Sequence, residues 1–370
     1  MQNGVFQTGN PRWSAVFSLF MGVMALIAAE FIPVSLLTPI ARDLAVSEGM
    51  AGQTVTAVGV LAVLTSLLLA PLTGNTDRRR ILLAFSAMLV ASYMLIGMAP
   101  TYSIMLIGRA ILGICVGGFW SLASAVTLQL VPTKDVPRAL TIVYAGVSVA
   151  TIIALPVASW IGHLIGWRNV FFLGALMAAF GFVWQYRALP SLPARAGSGF
   201  RDMSALLRRT WILAGIGGNI LSFGGVRFFF TYLRPFLELD LALGANTLSV
   251  ILLVFGVANV LGTFIAGALL GNHFRSTMIL VHLAFTAAAL ALLLSQGHAD
   301  IGIALAVFWG FAFGFTPVGW STWIARTLSD KAELAGGLTV AATQFAIGLA
   351  AAVGGFTYDN LGINGIFLAA

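Results

Sequence analysis

Charge is scarce in this chain. Only 8% of its 370 residues are Asp, Glu, Lys or Arg, while 59% are hydrophobic. Soluble domains run near ~25% charged, so 19 basic and 12 acidic side chains cannot coat a water-facing surface. That shortage excludes a soluble globular enzyme and a disordered chain. It excludes a nucleic-acid binder as well, because the basic residues are spread over many short loops rather than gathered into a patch. Cysteine is nearly absent: Cys115 stands alone, so no disulfide framework forms within one chain. A Gly-rich phosphate loop ending in Lys-Ser/Thr is missing, which argues against ATP binding through that motif. The four His residues, 163, 273, 282 and 298, lack metal-ligand spacing. No metal and no cofactor is expected.

What the sequence does contain is apolar runs of ~20 residues, the length that crosses a hydrocarbon core ~30 Å thick. Breaks at charge and turn residues delimit spans over 13–40, 50–73, 81–99, 102–131, 139–161 and 170–189, then 211–233, 248–270, 278–295, 301–324 and 334–356. A last run starts near Ile363. Its eight residues to Ala370 rise only ~12 Å, so the expectation is a twelfth span cut short. The small residues at 25–29 resemble a signal-peptide cleavage site, but the apolar run continues to Ile40 and only Arg12 precedes it. The fold class expected is therefore an all-α polytopic membrane protein. Lys and Arg orient it. With the N-terminus inside, fourteen basic residues fall in inner segments, and Arg42, Arg168 and Arg234 fall in outer loops. The N-terminus is expected to be cytoplasmic.

The stretch 190–210 carries Pro, Gly, Ser and Arg and reads as a cytoplasmic linker. It separates an N-terminal six-helix bundle, 1–189, from a C-terminal one, 211–370. The halves echo each other: Gly-Gly-Phe-Trp-Ser at 117–121 matches Pro-Val-Gly-Trp-Ser at 317–321, and Arg78 matches Arg275 in helix order. Tandem six-helix repeats around a midplane site are a transporter architecture. Gly is abundant and often paired, mostly for close helix packing; the pairs Gly217-Gly218 and Gly224-Gly225 make span seven the best hinge candidate.

Three charges fall inside spans: Glu30, Arg109 and Arg227. A lone charge at the bilayer centre costs at least ~2.5–3.5 kcal/mol on insertion scales, so each is a functional candidate. By helix rise they sit ~6 to ~10 Å outside the midplane, in one layer. A buried Glu beside an Arg is the minimum device for proton coupling, because desolvation and the cation act on it in opposite directions. A permanent ion pair between helices is the bland alternative. For Arg227, snorkelling to the outer surface is another.

These residues resemble a known family. Leu106-Ile-Gly-Arg109-Ala-Ile-Leu-Gly113, followed by Gly117-Gly118, is similar to the helix-four motif of proton-antiporting major facilitators, where the Arg is tied to proton transfer. Gly74 and Asp77-Arg78-Arg79-Arg80 resemble the loop motif that gates the cytoplasmic side, with one residue fewer between Gly74 and Asp77 and no Gly before the basic pair. Gly146 and Pro156 match the helix-five antiporter motif only in part. The runs Glu30-Phe-Ile-Pro-Val-Ser-Leu-Leu-Thr-Pro39, Gly166-Trp-Arg-Asn-Val-Phe171 and Pro317-Val-Gly-Trp-Ser-Thr-Trp323 are similar to the purine-ribonucleoside exporters among the drug:proton antiporters of the major facilitator superfamily. The resemblance implies the major facilitator fold and proton-coupled antiport by alternating access. It further implies export of inosine- or guanosine-like compounds, a multi-pass location in a bacterial inner membrane, and action as a monomer. Glu30 and Arg109 would carry the proton coupling; Gly74, Asp77, Arg78 and Arg79 would form the cytoplasmic gate. Arg227 stands where those exporters would carry an uncharged residue, which leaves room for an anionic substrate.

A nucleoside needs an aromatic face for its base and amides or hydroxyls for its ribose. Phe119 and Trp120 in span four, and Trp309, Phe313 and Trp320 in span ten, are the candidate aromatics. These spans are equivalent in the two repeats and are expected to face each other across a cavity. Asn219, Asn259 and Gln344 are the candidate polar residues, since an amide in hydrocarbon is costly without a partner. Sugar or chloramphenicol-like drug export by the same fold remains open, as does a non-transporting receptor.

Overall fold

The computed structural model describes residues 11–46, 48–193, 199–237, 241, 243, 245–294 and 298–370. Arg195 in the linker and Ser295 at the end of the ninth expected span lie outside them. Among the described residues the regular structure is helical throughout. The elements are α1 (Trp13–Ser35), α2 (Leu37–Asp43), α3 (Glu48–Thr73), α4 (Arg78–Gly97), α5 (Tyr102–Leu130), α6 (Val136–Ile165) and α7 (Trp167–Ala188). After α8 (Phe200–Leu207) come α9 (Thr210–Pro235), α10 (Ala245–Asn272), α11 (Phe274–Leu294), α12 (Ala299–Phe313), α13 (Phe315–Thr327) and α14 (Ala332–Ala369). Among the described residues ten helices are long and apolar enough to cross a membrane, and two shorter apolar helices, Ala57–Thr73 and Asn360–Ala369, accompany them. Helices suit this composition because each satisfies its own backbone donors and acceptors, which hydrocarbon cannot do.

Two expected spans are broken and one is extended. The first ends at Ser35, and Leu36 (φ −115°, ψ 17°) separates it from α2. Pro33, inside the last turn of α1, removes one helical donor just before that break. The tenth expected span divides at Gly314 into α12 and α13. The eleventh runs on past Phe356 into the last apolar run, with a kink at Gly362, whose φ of +62° favours glycine.

Contacts divide the chain into two compact units. One comprises Met1–Leu206 with Trp323–Ala341, the other Leu207–Thr322 with Ala342–Ala370. In the first unit α1 packs on α6 and α7, α3 on α5, and α4 on α5 and α7. Close approach explains the glycines of α5: a Cβ on Gly117 would strike the Ala62 carbonyl of α3, and one on Gly118 would strike the Phe85 ring of α4. In the second unit α12 packs on α10 and α11. Its core gathers Phe229, Phe236, Phe255, Phe285, Trp309 and Phe367.

Candidate functional site

Helix α5 delivers Arg109 into the middle of the first unit, where the side chain is 0% exposed. A guanidinium there needs acceptors, because a buried unpaired charge is far costlier than an exposed one. It finds two backbone carbonyls. Nη1 donates to the Ala29 carbonyl of α1 at 2.6 Å, and Nε donates to the Thr54 carbonyl of α3 at 3.2 Å. Nη2 has no hydrogen-bond partner among the described residues. Glu30, partly buried and next in sequence to Ala29, acts on Arg109 electrostatically, as does Tyr93. Tyr93 is itself fully buried on α4 and donates its hydroxyl to the Ala25 carbonyl, one turn before Ala29, at 2.7 Å. Four helices thus meet at one corner, with a cation, a carboxylate and a phenol.

A second charged cluster lies at the start of α4. Asp77 caps this helix, accepting from the Arg79 N–H at 2.8 Å. It also accepts from the Ser191 hydroxyl at 2.6 Å and the Leu192 N–H at 2.9 Å. Burial alone would raise its carboxyl, but these hydrogen bonds and the nearby Arg80 charge outweigh burial and hold it below the usual carboxylate range. Arg78, 0% exposed, forms a two-point pair with Glu333 at the start of α14: Nε–Oε1 is 2.7 Å and Nη2–Oε2 is 2.5 Å. Its Nη1 donates to the Thr76 carbonyl at 2.7 Å. Arg79 donates to the Tyr186 carbonyl at 2.7 Å and lies over the Tyr186 ring. Gly74 is exposed, with φ +47°. Nearby, Lys331 pairs with Asp202 of α8 at 2.9 Å. The gate residues read from sequence are thus joined by Glu333 and by the linker residues Ser191 and Leu192. Glu333 escapes sequence reading because it sits at a span end, where an acid is ordinary; its one signal is its place directly before an apolar run.

The aromatic candidates fall in both units, two in the first and three in the second. Phe119 is buried and meets Trp120 edge-on, with centroids 5.6 Å apart. Trp120, partly buried, stacks on Tyr144 of α6, with centroids 5.0 Å apart and planes 18° from parallel. Tyr144 was not singled out by sequence, because α6 offered no periodic aromatic signal. In the second unit Trp309 is 1% exposed and packs against Phe229 and Phe285 at 4.6 and 4.9 Å. Its ring belongs to the core of that unit. Phe313 lies 6.5 Å from Phe230, and Arg227 sits over the Phe230 ring at 5.4 Å. Trp320 borders Gly218.

The amides are held by neighbours. Asn219, buried in α9, accepts from the Thr343 hydroxyl at 3.0 Å, next to the partly buried Gln344. Asn259 donates to the Gly310 carbonyl at 3.2 Å. A cavity of about 580 Å³ in the second unit is lined by Ser222, His282, Trp309 and Trp320. His282 hydrogen-bonds Ser222 and the Met278 carbonyl. Exposed Leu221, Ile279 and Leu283 make part of its lining apolar, which suits hydrocarbon or a packed helix better than a ribose.

Comparisons with known proteins bear on the family and the fold. The sequence profile of the Major Facilitator Superfamily matches residues 18–328 and 216–370. A purine ribonucleoside efflux pump, NepI, of Salmonella typhimurium is 41% identical over 353 residues, covering 95% of this chain and 89% of the relative. NepI of Salmonella enteritidis is 40% identical over the same length. Among solved structures, the proton:xylose symporter XylE superposes with a TM-score of 0.78 at 14% identity, over 97% of this chain and 93% of that one. FucP in the outward conformation superposes with 0.76 at 16% identity, over 95% and 94%. At such identities these neighbours speak for the fold alone. Relatives and neighbours are transporters rather than enzymes. A polytopic all-helical chain with this profile match and this identity to a curated transporter belongs to the major facilitator superfamily.

Proposed function

We propose that the chain exports purine ribonucleosides across a bacterial inner membrane in exchange for protons. The proposed transport mode is alternating access, with 1–189 and 211–370 as the two six-helix halves. The identity of 41% to a purine ribonucleoside efflux pump, along 95% of this chain, carries the substrate class. The corner of Glu30 and Arg109 supports the proton coupling. A carboxylate beside a buried cation changes its proton affinity when their separation changes. Rocking of the helices that hold them would change it. Within the first unit the Trp120–Tyr144 stack supplies an aromatic face suited to a purine; within the second, Asn219, Asn259 and Gln344 are the candidate amides. Asp77, Arg78 and Arg79 close the cytoplasmic side, with Glu333 as the acceptor for Arg78.

Flux of labelled inosine in proteoliposomes, with and without a pH gradient, tests the reading. Gradient-driven inosine movement is expected. Inosine flux that ignores the gradient would remove the coupling, and absence of inosine flux would remove the substrate class. A second reading, export of an anionic compound, is favoured by Arg227 over Phe230. A substrate panel run on Arg227→Ala separates the two, because an anionic ligand loses most affinity there.

A further inference from the structure

The Arg109 corner contains a residue that the coupling scheme leaves unused. Pro33 lies within the helical stretch of α1 and is buried. A proline has no backbone N–H, so the carbonyl four residues earlier in its helix loses its ordinary donor. Four residues before Pro33 is Ala29. The Ala29 carbonyl is the one that accepts Nη1 of Arg109, at 2.6 Å. A vacated carbonyl in an apolar interior is costly, and the guanidinium fills it.

We infer that Pro33 is a positioning residue for the proton-coupling pair: by removing its own N–H it reserves the Ala29 carbonyl for Arg109 and so sets how Arg109 stands to Glu30. The inference rests on the proposed coupling role of Glu30 and Arg109. Ala29 and Glu30 are consecutive, so the anchor point of the cation and the carboxylate it acts on are fixed by the same turn of α1. The Thr54 carbonyl holds the other edge of the guanidinium and leaves it only a small range of positions. Tyr93, bonded to the Ala25 carbonyl, pins the turn below.

Among the described residues the ionisable groups around this corner are few. Tyr93 on α4 and Glu30 on α1 act on Arg109 of α5. α2 carries Arg42 and Asp43, and Asp43 is engaged by Arg168 and Trp167 of α7. α6 carries Arg138 in its first turn, then Tyr144 and an exposed His163, and α3 has Glu48 at its first position. α7 has Arg168, Tyr186 and Arg187 only near its ends.

With Ala at position 33 the backbone N–H returns and competes for the Ala29 carbonyl. Arg109 then turns to the next acceptor, the Glu30 carboxylate. A double-mutant cycle in detergent tests the geometry without any substrate. Pro33→Ala is expected to raise the melting temperature by about 2 °C or more in the Arg109→Met background, where the carbonyl otherwise lacks a donor, and to leave it unchanged or lower it in wild type. The same sign and size of effect in both backgrounds overturns the inference. If Arg109→Met does not purify, Arg109→Leu, which also lacks a side-chain donor, completes the cycle. The second readout is the pH dependence of inosine affinity. The midpoint for Pro33→Ala is expected to move to lower pH by about one unit, because the released cation pairs with the carboxylate. An unmoved midpoint in a folded Pro33→Ala protein also overturns the inference. Wild-type inosine affinity that does not vary with pH counts instead against the coupling scheme, and the melting cycle then decides the role of Pro33 alone.

Discussion

Arg78 and Arg109 are both fully buried in the same unit, yet they are neutralised differently. Arg78 meets a carboxylate face to face, with both oxygens of Glu333 engaged. Arg109 meets backbone carbonyls, and its carboxylate, Glu30, acts on it as a neighbour through the electrostatic field. A two-point pair is rigid and specific, and breaking it strands a buried charge. Carbonyl dipoles hold a cation without cancelling its charge, so that charge remains available to a titrating partner. The first arrangement suits a latch and the second suits proton exchange.

Mutations can break or sharpen this contrast. The largest effect is expected for Glu30→Gln. A gradient of one pH unit can drive about a tenfold concentration ratio, and in this variant the inosine ratio across proteoliposomes should fall to one. Retained accumulation would place the coupling elsewhere. Next comes Glu333→Gln, which leaves Arg78 with a neutral partner. Its cost should be up to about 3 kcal/mol in thermal or denaturant unfolding, while the pH dependence of inosine binding stays as in wild type. A shift of that pH profile would blur the distinction between the two arginines.

Asp77→Ala removes the α4 cap and should cost about 1 kcal/mol. Its pH behaviour follows from the depressed carboxyl. The folded value lies below the unfolded one, so the stabilisation is complete above the usual carboxylate range and is lost as pH falls through the folded value. Wild type should therefore lose this increment in acid, and Asp77→Ala should show no such loss; melting curves at a series of acidic pH values check both. The smallest effect is expected for Tyr144→Phe, which keeps the stacked ring beside Trp120. Inosine affinity should change by less than about threefold, whereas Tyr144→Ala should weaken it by about five- to tenfold, in keeping with ~1 kcal/mol for an aromatic pair. Equal losses in both variants would assign the role to the hydroxyl.

Much of this was legible along the chain, and the reasons differ by residue. Glu30 and Arg109 stood out because an apolar run leaves a charge nowhere to hide. Asp77 stood out through its loop motif. Glu333 did not, because an acid at a span end is unremarkable until Arg78, 255 positions away, is seen against it. The echo of Arg78 in Arg275 lies in helix order and not in surroundings: Arg78 is buried and paired, while Arg275 is exposed. Likewise Trp120 and Trp320 occupy matching places in the sequence, yet one stacks on Tyr144 and the other borders Gly218.

Low charge and long apolar runs by themselves determined that this chain is a helical membrane protein, because in hydrocarbon only internally bonded backbone is tolerated. They also determined which ionisable residues are exceptional. What each charge touches was decided by tertiary structure. Whether a buried arginine is cancelled by a carboxylate or cradled by carbonyls depends on which helix stands beside it. At Ala29 it depends on a proline four residues on, whose missing N–H matters only because Arg109 of another helix reaches the carbonyl it leaves open.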